Sequence, residues 1–229
     1  MVTKQSNAVR RRRSPALTRG AGVLCAVAVA GALLTGCGGD DKDSGTSTGA
    51  GEAAETPSAS VSASDRNLTD DQAERKDLIP KAKVGYDEAL RTAVAAVPKS
   101  KPVSIELKGP PDMPMWHAEV ATDDGTEHTV RVDAVTGKTG QNRAKDDQDA
   151  DDKRELADWL KQATVTAPQA AKVATDKKKG TVSSVELDDT DKGGPMWSVD
   201  VVTTDDWNKT TYDIDATDKK VLREHVDRD

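Results

Sequence analysis

Pro114-Met115-Trp116-His117-Ala118-Glu119-Val120 returns 81 residues later as Pro195-Met196-Trp197-Ser198-Val199-Asp200-Val201. Both stretches alternate between apolar and polar side chains, the period of a half-buried strand. Trp116, Ala118 and Val120 belong to one face and His117 and Glu119 to the other. The duplication extends outward from this stretch. Ile105-Glu106-Leu107 returns as Val185-Glu186-Leu187, Val132-Asp133-Ala134 as Ile214-Asp215-Ala216, and Val84 through Ala89 as Val165 through Ala170. Four matches in the same order, with offsets drifting only from 80 to 82, mark a duplicated unit. The period is too long for a solenoid, so each copy reads as a small domain of its own.

Within the first copy, Tyr86 to Val97 carries its apolar residues on one helical stripe and is stopped by Pro98. Its counterpart begins near Ala167, with Pro168 suited to a first turn. Val103 to Leu107 and Thr129 to Asp133 alternate as strands on either side of the quoted one, and Asp123-Asp124-Gly125 supplies a hairpin turn. A shorter leading helix precedes each unit, over Asp70 to Ile79 and Asp151 to Gln162. The fold class is therefore α+β: two repeated units, each a helix packed on a three-stranded antiparallel sheet. The expected domains are residues 67–142 and 143–229.

The first forty residues read differently. Residues 1–36 hold Lys4, Arg10 to Arg13 and Arg19 and no acid, then the uncharged run Ala21 to Leu34. That run is short and Ala-rich beside the roughly 20 strongly apolar residues of a membrane span, so residues 1–36 read as an export signal. The general secretory route fits better than a twin-arginine one, because Arg12-Arg13 lacks the expected following pattern. Leu34-Thr35-Gly36-Cys37 resembles a bacterial lipobox, which implies cleavage before Cys37 and acylation of its thiol. Residues 37–66 are rich in Gly, Ser, Thr, Ala and Asp and cannot bury enough apolar surface to order. As a flexible tether they would span roughly 30 Å. The expected location is the extracytoplasmic face of the cell membrane, held by lipid.

Charge and chemistry bound the function. The chain carries a net charge of −7, and beyond residue 36 it holds 27 basic against 40 acidic side chains. Such an acidic chain repels phosphate, so nucleic acid is excluded as a partner. Both cysteines, Cys25 and Cys37, precede the repeats, so no disulfide staples them. The three histidines, His117, His128 and His225, lack zinc-motif spacing, although His117 and His128 could meet across the hairpin. Asp147, Asp149 and Asp151 begin like a calcium loop but lack its Gly and closing Glu, which favours a solvated linker. No nucleophile motif, phosphate loop or dinucleotide fingerprint is present, so neither an enzyme nor a cofactor is expected. Trp116 and Trp197 read as core residues. Trp207, in the hairpin Asp205-Asp206-Trp207-Asn208-Lys209, reads as exposed and is the candidate contact residue for a partner.

The order helix, strand, strand, strand, closing on Val132-Asp133-Ala134-Val135-Thr136-Gly137-Lys138, resembles the PepSY domain, as does the helix start Thr166-Ala167-Pro168-Gln169-Ala170. The likeness covers about residues 84–140 and 165–222. The sequence departs from the family's habit in placing Trp at 116 and 197 rather than Tyr, and Asp218-Lys219 in place of the Thr-Gly turn. The resemblance implies a cystatin-like fold and binding rather than catalysis, since such domains occur in propeptides of secreted metalloproteases. The expected role is to bind or restrain a peptidase or to modulate an envelope protein. The rival expectation is a solute- or metal-binding lipoprotein serving a transporter or sensor.

Overall fold

The alternating stretches become strands and the apolar stripes become helices in a computed structural model that describes residues 68–228. The export signal, Cys37 and the tether lie outside these residues. In the first copy the elements are α1 (Asp70–Leu78), a 3-10 turn (Ile79–Lys81), α2 (Tyr86–Ala96), β1 (Ser100–Lys108), β2 (Met115–Thr122), β3 (Glu127–Asp133) and β4 (Thr139–Ala144). The second copy repeats the order as α3 (Ala150–Gln162), α4 (Ala167–Lys177), β5 (Thr181–Asp189), β6 (Pro195–Val202), β7 (Lys209–Asp215) and β8 (Val221–Asp227). The expected helix-on-antiparallel-sheet units are present, but each has a fourth strand. β4 and β8 are mostly exposed edge strands, so they carry little apolar alternation to announce them. β4 also runs across the expected boundary at 142/143.

The two copies do not form separate sheets. β1 pairs antiparallel with β5 through Ser104 with Glu186, Ile105 with Val185 and Glu106 with Ser184. One sheet of eight strands results, in the order β4-β3-β2-β1-β5-β6-β7-β8. Pairing two interior-facing strands removes an edge from each unit, which separate small domains would have had to protect. The inward side chains of both copies belong to one hydrophobic core, with Ile105, Val185, Ala118 and Val199 fully buried.

Each main helix is clamped to its sheet by the same three hydrogen bonds. Trp116 is 1% exposed, and its indole Nε1 donates to the carbonyl of Val84 at 2.8 Å, just before α2 begins. The Val84 N–H donates to Ala134 O at 2.9 Å, and Ala134 N–H to Pro114 O at 3.0 Å. In the second copy Trp197 donates to Val165 O at 2.7 Å, Val165 N–H to Ala216 O at 2.8 Å, and Ala216 N–H to Pro195 O at 3.1 Å. The chain entering the helix, the end of the third strand and the start of the second are thereby tied together. Trp rather than Tyr at these positions supplies an N–H that donates only.

The leading helices reach across the molecule. The N-terminal part of α1 meets the β6–β7 hairpin of the second copy, with Gln72 Nε2 donating to Asn208 Oδ1 at 2.9 Å and Arg75 Nε to Trp207 O at 2.7 Å. α3 and the residue just before its cap meet the β2–β3 hairpin of the first, where Gln148 Nε2 donates to Gly125 O at 2.8 Å. Asp149, from the calcium-like run, caps α3 by accepting from the N–H groups of Asp151 and Asp152.

Trp116→Phe keeps an aromatic ring in place but leaves the Val84 carbonyl without its donor in a buried site. It should lower unfolding free energy by about 1–3 kcal/mol in urea denaturation, and Trp197→Phe should cost a similar amount.

Candidate functional site

The sheet face opposite the core keeps its central rows accessible, and its chemistry follows from strand alternation. Across β2, β1, β5 and β6 one row reads Glu119, Ser104, Glu186, Ser198, and the next reads His117, Glu106, Ser184, Asp200. The pairing of β1 with β5 thus brings four carboxylates, two from each copy, onto one seam. The repeat relates them: Ser104 matches Ser184, Glu106 matches Glu186 and Glu119 matches Asp200. Ser104 Oγ lies 3.2 Å from Glu119 Oε2, and Thr211 Oγ1 donates to Asp200 Oδ1 at 2.6 Å.

Lysines answer three of the four carboxylates, and at the centre Lys108 Nζ lies 2.7 Å from Glu106. Lys145 Nζ lies 3.3 Å from Glu119 and 3.2 Å from Glu127. In the second copy Lys209 Nζ lies 3.5 Å from Asp200 and 3.6 Å from Asp227. The triangle is the same, but the lysine has moved to the neighbouring strand: Glu127 and Lys145 on β3 and just after β4 correspond to Lys209 and Asp227 on β7 and β8. Burial works against the Lys145 ammonium, yet Glu119 and Glu127 outweigh it and raise its pKa. Burial and Glu119 raise Glu127, with Lys145 opposing.

Glu186, the other central carboxylate, is less well compensated. Partial burial, then Asp188, Glu119, Glu106 and Asp200, raise the Glu186 carboxyl above its ordinary pKa. Its folded-state pKa exceeds the unfolded one, so the carboxylate carries a cost at neutral pH, reduced because the residue is exposed to solvent, and that cost fades as pH falls through the raised value. At the margin, Asp213 is 4% exposed; Arg223 Nε donates to one of its oxygens at 2.7 Å and the other makes no hydrogen bond. Burial, then Arg131 and Lys108, lower His117, with Glu106 opposing.

The residues singled out by sequence fall elsewhere. Trp207 is less exposed than expected: it is half-buried and packs against the core, with α1 reaching over to its hairpin. His117 and His128 do not meet, since His117 pairs with Arg131 and His128 with Val120, on opposite faces of the sheet. Among the described residues no group of three or more His, Cys, Asp or Glu is placed to hold a metal ion. Cys37 lies outside them, and among them no helix is long and apolar enough to cross a membrane. The seam itself escaped sequence reading. Outward acids at matching positions of the two copies were visible, but not the strand pairing that makes them neighbours.

The sequence matches the peptidase propeptide and YPEB domain, PepSY, twice, at residues 83–139 and 164–225, just over half of the chain. The chain belongs to the PepSY family. Two solved structures are similar to this tandem PepSY chain. One is a candidate lipoprotein from Clostridium difficile 630, 20% identical, with 63% of this chain and 94% of that chain covered and a TM-score of 0.42. The other is the YpmB protein from Bacillus subtilis, 16% identical, with 63% and 100% covered and a TM-score of 0.27. No curated protein matches. The family match spans the clamp in both PepSY units, from the residues before each main helix to the third strand and beyond.

The two lysine triangles make a direct test of the seam's electrostatics. Lys145→Ala leaves Glu119 and the 9%-exposed Glu127 facing each other and should lower stability by about 1 kcal/mol in denaturant titrations. The double change Glu127→Lys with Lys145→Asp, which copies the second unit, should restore most of the loss.

Proposed function

We propose that this protein is a non-catalytic, extracytoplasmic binding protein, held to the membrane by lipid on Cys37, that engages a peptidase or another envelope protein through the open face of its sheet. The observation that carries the reading is the fusion of two PepSY units into a single sheet whose free face concentrates carboxylates at the seam. The family's description names peptidase propeptides, which supports a peptidase as the partner. Burial, then Asp188, Glu119, Glu106 and Asp200, raise Glu186, so a cationic group laid against it relieves a cost the free protein carries. The lipobox-like Leu34-Thr35-Gly36-Cys37 supports the anchor, and the length of the polar segment after it gives the body room to reach a partner beside the membrane.

Two measurements test this. In membrane fractionation, Cys37→Ser should move the protein from the membrane to the soluble extracytoplasmic fraction; unchanged membrane retention would overturn the anchor. The released Cys37→Ser chain, immobilised and exposed to envelope extract, should retain a peptidase or envelope protein. That retention should fall at least about tenfold when Glu106, Glu119 and Glu186 are all changed to Gln. Retention of no protein, together with a rise in Tm on adding calcium or a small solute, would favour a solute-binding role instead.

A further inference from the structure

The two leading helices occupy matching places but are fastened differently. α3 follows β4 directly, through only five residues, so the chain itself holds its start against the β2–β3 hairpin. There the approach is backbone to backbone: a Cβ on Gly125 (φ +82°) would stand 1.8 Å from the carbonyl oxygen of Lys153. Leu156, Ala157 and Leu160 bury the second half of the helix.

α1 stands where α3 stands, but its neighbour β8 lies at the far end of the folded chain. No peptide link joins them; Gln72 Nε2 reaches Arg228 O at 3.5 Å instead. The hairpin position that matches Gly125 is Trp207, also at positive φ (56°), a conformation unfavourable for a bulky residue. Trp207 has a Cβ and a ring where α3 found empty space, so α1 cannot settle on its hairpin as closely. The first two turns of α1, Asp70 to Asp77, contain one apolar residue, Ala73. Their docking is polar: Gln72 to Asn208, Arg75 to Trp207 O, and Arg75 to Asp227 at 3.8 Å. Apolar anchoring begins only at Leu78 and Ile79, at the entry to the 3-10 turn that contains Pro80.

We infer that α1 is a displaceable strap. It undocks from the Trp207 hairpin and the end of β8, pivoting at Ile79–Lys81, while the eight-stranded sheet and α2 to α4 stay folded. A nine-residue helix is not stable alone in water, so the strap melts when it leaves and refolds when it docks. Undocking frees the Trp207 hairpin, which couples the accessibility of that hairpin to the state of the strap. Residues 38–67 join the strap to Cys37, so on the anchoring reading above a pull on the anchor reaches this element first. The strap itself does not depend on that reading.

Hydrogen–deuterium exchange on the full chain tests it. Amides of α1 should exchange at least about tenfold faster than those of α3. About 1 M NaCl, or Arg75→Ala, should speed α1 further by roughly threefold or more, with β5 and β6 unchanged. In the 5-fluorotryptophan-labelled chain, the ¹⁹F resonance of Trp207, assigned with Trp207→Phe, should shift under both conditions while those of Trp116 and Trp197 stay put. Equal protection of α1 and α3 would overturn the inference. So would acceleration shared by β5 and β6, which means global unfolding, or an unmoved Trp207 resonance. Failure of the Cys37→Ser release with these results intact would remove the anchor and leave the strap.

Discussion

Three residue pairs, Ser104 with Glu186, Ile105 with Val185 and Glu106 with Ser184, join two four-stranded halves into one sheet. The rest of the architecture leans on this short antiparallel contact. It puts Ile105 beside Val185 at the bottom of a shared core, where both are fully buried, and so makes each half's apolar face part of the other's. It also sets equivalent edges of the two halves against each other in antiparallel fashion, and each leading helix meets the hairpin of the opposite copy. On the outward side the same register sets Glu106 and Glu186 diagonally across the seam, near Glu119 and Asp200. The contact that stabilises the inner face therefore concentrates like charge on the outer one, a tension that a neutral seam would not carry.

Comparison of the copies separates what the fold needs from what each half does. The indole-to-carbonyl clamp is the same in both, to within 0.1 Å in its first bond, because the entry to each main helix must be fixed against the third strand. The Ser and Glu of β1 and β5 are also the same. The lysine triangles keep their geometry while exchanging the strand that carries the cation, as expected when only the pairing of charges matters. The hairpins differ in kind. Gly125 lets a helix backbone approach, whereas Trp207 holds one off, and this asymmetry gives the first copy a fixed brace and the second a removable one.

Much of this was legible in the sequence, and the limits have physical causes. Alternation through Trp116 and Trp197, the stripe of Tyr86 to Val97 and the offset of about 81 residues specified the units, since each signal is local and repeated. β4 and β8 were not legible, because edge strands such as Thr139–Ala144 have no buried face to impose a pattern. The joining of the halves was hidden too. Ser104, Ile105 and Glu106 look like any half-buried strand, and nothing local says that one edge of it meets its own duplicate. Trp207 was misplaced for a related reason: its hairpin reads as exposed until a helix more than 130 residues earlier in the chain is laid against it.

The central claim is that the two PepSY repeats are one cooperative body held at β1 and β5, and differential scanning calorimetry addresses it directly. A shared sheet and core predict one unfolding transition whose calorimetric and van't Hoff enthalpies agree, a ratio of about 1. Two resolved transitions, each carrying about half of the total enthalpy, would contradict the account and return the repeats to the independent domains that the sequence suggests.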